Sequence, residues 1–151
     1  MNRALAAGVL SALLAGCAGG PPEPAAIDTR NDACSWCRMG ISDLRVAAQL
    51  VAPSEEPRLF DDIGCLRDYL AGGAAIPPGA IAFVADHQSR AWVVAARAIY
   101  SRTDALSTPM DSHLAAWADE ASRSADPLAT PENFASAKEI FGTPGPPEGM
   151  R

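Results

Sequence analysis

The chain has 151 residues, 48% of them hydrophobic and 20% charged, which fits one domain with a modest core. Twelve Lys and Arg against 18 Asp and Glu give a net charge of −6. The basic residues are scattered, which argues against a nucleic-acid partner. With no G-x-S-x-G and no P-loop, and only His87 and His113 as histidines, the side chains left to carry chemistry are mainly the four cysteines.

The first segment, "MNRALAAGVLSALLAGC", carries Arg3 and then an apolar run to Ala15. That run is too short to span a bilayer and has the shape of a signal-peptide core. It ends in "LAGC", which resembles the lipobox of bacterial lipoproteins. Residues 1–16 are therefore expected to be a lipoprotein signal peptide, with Cys17 as the lipidated first residue of the mature chain. The alternative is an ordinary signal cleaved near Ala18. A lipid on Cys17 would tether the protein to a membrane facing the periplasm, and Ala18 favours the outer one. Residues 17–31, rich in Gly, Pro and Ala, read as a flexible linker.

The folded domain is expected over residues 32–142. It opens on "DACSWCRMG", with Cys34, Cys37 and Met39 in one short loop. "ISDLRVAAQLVA" gives a strand signal, "PSEEP" a turn and "RLF" a short second strand. "DDIGCLRDYLAGG" predicts a helix capped by Asp61 or Asp62 and stopped by Gly72 and Gly73. Ile63, Leu66, Tyr69 and Leu70 share its apolar face, with Cys65 beside them. "AIAFVAD" and "AWVVAARAIYS" read as a hairpin turning at "HQSR", which makes His87 a solvated turn residue. A loop with Met110 and His113 follows, then the apolar "HLAAWA" and a polar segment. "ATPENFASAKEIFG" predicts a second helix, with Thr130 as cap, Pro131 at the first position and a stripe of Phe134, Ala137, Ile140 and Phe141. Residues 143–151 read as a disordered tail. The order of elements argues for an α+β fold of two ββα-type halves.

Four readings of the sulfur loop stand side by side. Cys34 and Cys37 could form a short disulfide, which an oxidising compartment favours. They could be a redox-active C-x-x-C, although that motif belongs at a helix N-terminus and here precedes a strand. They could be half of a zinc site completed by Cys65 or a histidine. They could bind Cu(I), which prefers soft thiolate and thioether donors. Met39 favours the last, because a thioether is a poor zinc ligand and adds nothing to a disulfide. Met110, in the turn-rich "TPMDSH", is a second thioether in a polar loop. If Cys17 carries a lipid, three cysteines remain, so at least one thiol is unpaired. A bound metal would protect it. Cys65 is expected to be core rather than ligand, since free cysteine is commonly a buried small hydrophobe. His113 ranks below the sulfurs as an accessory ligand. Asp61 and Asp62 read as helix-capping groups, not as an acid–base pair.

"DACSWCRMGISD", "FDDIGCLRDYL", "AWVVAARAIY" and "TPM" followed by "AAWA" together resemble the NosL family, accessory lipoproteins of nitrous oxide reductase. The resemblance implies an α+β fold of two ββα-type halves, related in shape to organomercurial lyase. It implies a Cu(I) chaperone rather than an enzyme, one that helps the maturation machinery assemble the copper-sulfide centre of the reductase during denitrification. Cys37 and Met39 match the family's Cys-x-Met ligands, Met110 its distal methionine, and Cys34 a further cysteine of the loop. Two rivals remain: a thiol-dependent lyase of the organomercurial type, which would need a carboxylate poised to deliver a proton, and a lipoprotein whose C-x-x-C is only a disulfide.

Overall fold

The computed structural model describes residues 20–149. The signal segment, Cys17 and Met150 lie outside the described residues. Four antiparallel strands form the first sheet: β1 (Ala48–Val51), β2 (Arg58–Phe60), β3 (Ile81–Ala85) and β4 (Trp92–Val94), in the order β2-β1-β3-β4. Three form the second: β5 (Ile99–Arg102), β6 (Leu114–Trp117) and β7 (Phe134–Ala135), in the order β6-β5-β7. Three helices accompany them: α1 (Ile63–Ala71), α2 (Glu120–Ser124) and α3 (Ala137–Phe141). The fold is a small α+β domain. In each sheet the first strand lies between the second and third, and a helix separates the second from the third along the chain.

Every residue of β1, β3 and β6 is buried, so these strands show no in–out alternation. Strands covered on both faces read as continuous apolar runs. Leu50, Phe60, Val84, Tyr100 and Leu114 build one core with Ile63, Leu66 and Cys65 of α1. Helix α1 touches β1, β2, β6 and α3, and so joins the two sheets. Asp62 starts it, its Oδ1 accepting the Gly64 N–H at 2.6 Å, and Gly72 ends it by donating to the Asp68 carbonyl. Of the two expected cap residues, Asp62 does this work. Among the described residues, no helix is long and apolar enough to cross a membrane.

Four expectations need correction. The run 92–101 is not one strand. Arg97 and Ala98 turn their N–H groups back to the Val94 carbonyl, so β4 ends in the first sheet and β5 begins in the second. The helix expected from residue 130 is three pieces: a 3₁₀ turn (Pro131–Asn133), β7 and α3. Thr130 with Asn133 and Ser136 with Glu139 each form a capping box, so two helical starts compete within seven residues. Phe134, placed on the apolar stripe, is instead 52% exposed, pairs with Ser101 and lies under Arg123, whose Cζ is 5.6 Å from the ring centre. Within the polar segment, α2 forms behind an Asp119 cap. The residues of the expected tail that are described are not loose. The Pro147 carbonyl accepts from Ala82 N–H at 2.7 Å, Gly149 N–H donates to the Ala80 carbonyl at 2.9 Å, and Glu148 bridges Ile81. This segment continues the ladder of β3 where β4 stops. At the other end of the described chain, the buried Gln49 side chain holds both the N–H and the carbonyl of Ala25. Gly20, Pro21 and Pro22 line a groove of about 290 Å³ together with Glu148 and Gly149.

Candidate metal centre

The loop that opens the domain is held by its own backbone. Ala33 pairs with Gly40, Cys34 N–H donates to the Met39 carbonyl at 2.8 Å, and Arg38 N–H returns to the Cys34 carbonyl at 3.0 Å. The tight reversal puts Arg38 in the left-handed region, at φ 69°. A non-glycine residue held there is strained, a feature that clusters at functional sites. Ser35 N–H donates to the Leu59 carbonyl at 2.7 Å, which ties the loop to β2. Cys34 is thereby buried and Cys37 half-buried.

From the other side, the chain leaving β2 brings Asp61, and the first turn of α1 brings Cys65. One donor atom from each of Cys34, Cys37, Asp61 and Cys65 lies within 4.8 Å of all the others. The three cysteines are free. Cys37 Sγ donates to Asp61 Oδ1 at 3.3 Å, while Asp61 Oδ2 is buried with no hydrogen-bond partner. A buried acceptor left in this way is costly unless a cation or donor faces it. The thiol of Cys65, hydrogen-bonded to Cys34, holds Cys34 down to about 6. The same contact, with burial, pushes Cys65 up. Burial is the main cause that pushes Cys37 up to about 11.

Of the four expected sulfur ligands, Cys34 and Cys37 belong to this cluster. Met39 and Met110 sit on the loops beside it and are 44% and 45% exposed. Met110 N–H donates to Asp62 Oδ2 at 3.0 Å, which anchors its loop next to Asp61. Gly64 lets that loop close in, since a Cβ built there would meet Ser112 Cβ at 2.6 Å. Asp111 and His113 both take positive φ on this loop. His113 Nδ1 lies 2.7 Å from the Leu106 carbonyl and donates to it.

Cys65 and Asp61 are the donors that sequence reasoning set aside. Cys65 is buried among apolar residues, as expected, yet its sulfur is part of the cluster. Asp61 is not the cap and instead faces the thiols. The separation of Asp61 and Cys65 by one helical turn was the signal available.

His87 is not a solvated residue. It is 6% exposed, with Nδ1 2.6 Å from Asp126 Oδ2, and the same oxygen accepts from Trp117 Nε1 at 3.2 Å. The hairpin turn is covered because it docks on the second sheet. His87 N–H donates to the Ala116 carbonyl, and Asp86 Oδ2 accepts from Ala118 N–H and Ser122 Oγ.

The donor set suits a soft metal ion. Thiols at three corners match Cu(I), and a carboxylate at the fourth would complete a tetrahedral site for zinc. Compared with family models, curated proteins and solved structures, the chain finds no match in any of the three.

Proposed function

We propose that the protein is a Cu(I) chaperone whose cargo is gripped at the cysteine cluster. The observation that carries the reading is the gathering of three free thiols within 4.8 Å, with Cys37 alone of them half-buried at the edge. A transfer protein needs tight soft donors and one that an incoming ligand can reach. Cys37 meets the second need, and Met39 and Met110 offer exposed thioethers on the neighbouring loops. Low coordination suits Cu(I) and lets a recipient's ligands enter stepwise.

The finer parts of the proposal rest on the resemblance to the NosL family. They are a lipid anchor on Cys17, a periplasmic location, and nitrous oxide reductase with its maturation machinery as recipient. The shared strand order of the two sheets supports reading the fold as two ββα-type halves, and a shape related to organomercurial lyase rests on the resemblance alone.

Anaerobic titration against a Cu(I)-specific chelator, run beside zinc, tests the reading. The expected result is one Cu(I) per chain, held more tightly than Zn(II). Tighter zinc, or no copper, overturns it.

One observation favours the lyase as a second reading. Asp61 supplies the carboxylate that such chemistry requires, 3.3 Å from Cys37. Cleavage would transfer a proton to the carbon of a carbon–mercury bond as that bond breaks, leaving the metal on the thiolates. Release of benzene from phenylmercury would establish it, and its absence removes this reading while leaving the first untouched.

A further inference from the structure

The donors indicated by the sequence, Cys34, Cys37, Met39 and Met110, share Cys34 and Cys37 with those gathered by the fold, and exposure regroups them all into two sets with Cys37 in common. Cys37, Met39 and Met110 form the outer set, on two adjacent surface loops. Cys34, Cys37 and Cys65 form the inner set, with Asp61 at its side. Exposure separates them sharply. Cys34 and Cys65 are 0% and 1% exposed, whereas the two methionines are nearly half exposed.

We infer that the ion occupies two positions in turn, an outer exchange position on Cys37, Met39 and Met110 and an inner holding position on Cys37, Cys34 and Cys65. This rests on the Cu(I) reading above. An ion arriving from solvent meets the thioethers and Cys37 first, because the other two thiols are sealed. Thioethers are neutral donors, so one thiolate with two thioethers binds a cation less tightly than a set of thiolates does. The ion therefore moves inward once captured, and Cys37 stays bound throughout as the pivot. A second observation points to an occupant of the inner position: the Asp61 carboxylate, whose Oδ1 accepts from Cys37, has its other oxygen buried with no hydrogen-bond partner, and a cation among the thiolates supplies positive charge beside that carboxylate. Release runs the other way, with the recipient's ligands meeting the ion at the methionines.

Two positions make the effect of one mutation depend on another. With the inner position intact, Met39→Leu and Met110→Leu slow Cu(I) loading and release but leave the equilibrium affinity nearly unchanged. With the inner position removed by Cys34→Ala and Cys65→Ala, the protein still binds one Cu(I), more weakly and with faster exchange. In that background Met39→Leu then costs about tenfold or more in affinity, a coupling that a double-mutant cycle measures. Cys37→Ala weakens binding in both backgrounds.

The test is anaerobic chelator competition for affinity and stopped-flow transfer to bathocuproine disulfonate for rate, on the full chain, with circular dichroism as folding control. An equal affinity cost of Met39→Leu in both backgrounds overturns the two positions. Should the double cysteine variant fail to fold, the rates decide: the Met39→Leu/Met110→Leu variant must release Cu(I) to the chelator more slowly than the parent at similar affinity, and equal release rates overturn the proposal. A parent chain that binds no Cu(I) at all instead overturns the chaperone reading itself.

Discussion

Two buried polar clusters lie in this small domain, and they differ in one respect that matters. The group of His87, Asp126 and Trp117 is sealed: all three are almost fully buried, and one Asp126 oxygen serves both ring nitrogens. It joins the β3–β4 turn to the second sheet. The group of Cys34, Cys37, Cys65 and Asp61 is open at one corner, through Cys37, and is flanked by exposed Met39, Met110 and Trp36. Both contain titratable groups removed from water, so burial alone does not mark a functional site. What sets the second group apart is a route to solvent flanked by the exposed thioethers of Met39 and Met110.

The largest effect should come from breaking the sealed cluster. Trp117→Ala removes one of the largest fully buried side chains and a donor to Asp126, and is expected to cost ~3–5 kcal/mol in urea unfolding. Where the variant remains folded, Cu(I) affinity should match the parent. A drop in affinity without unfolding would join the two clusters into one functional unit.

Gly64→Ala sharpens the contrast from the other side. Its Cβ would collide with Ser112, so the Met110 loop must lift from α1, at an expected ~1–3 kcal/mol. Hydrogen exchange at the Met110 amide, which is bonded to Asp62, should speed up, while the thiol cluster keeps its copper.

The cluster should also leave a signature in pH. Cys34, lowered from 9.0 to about 6, adds stability that is full above pH 9 and fades as the pH falls towards 6. Cys37, raised from 9.0 to about 11, adds stability that is full below pH 9 and is lost as the pH climbs towards 11. The metal-free protein should show both limbs in its urea midpoint. Cys34→Ala should flatten the acid limb, and Cys37→Ala should reduce the alkaline one.

The smallest effect concerns Asp61. Its oxygen is a hard donor, so Asp61→Asn should change Cu(I) affinity by less than about tenfold while weakening Zn(II) clearly more. Equal losses for both ions would make Asp61 a ligand in its own right.

Local chemistry announced some of this structure and concealed the rest. Helix α1 was readable because Asp62, the apolar spacing and Gly72 all agree. The β3–β4 turn was readable from "DHQSR". The break between β4 and β5 was not, because "VVAARA" has no turn residue and only tertiary packing divides it between sheets. The start of α3 was written in Ser136-x-x-Glu139, but the longer apolar spacing from Thr130 masked it. At the site, the Cys34–Met39 loop stood out through its density of sulfur. Asp61 was hidden by a second aspartate that does the capping, and Cys65 by a helical position that serves the core and the cluster at once. His87 was hidden because a polar turn normally faces water, and here another sheet covers it.

The pairing of Glu148 and Gly149 with the start of β3 closes the molecule on itself. Residues 20–22 and 148–149 line the same groove, beside Pro53 and Gly79. In topological terms the described chain is nearly a ring. Joining those segments with a short glycine linker and opening the chain in the exposed turn between β1 and β2 would give a circular permutant. Every strand would keep its register, and the sulfur loop would pass from near the start of the described chain to near the end of the permuted one.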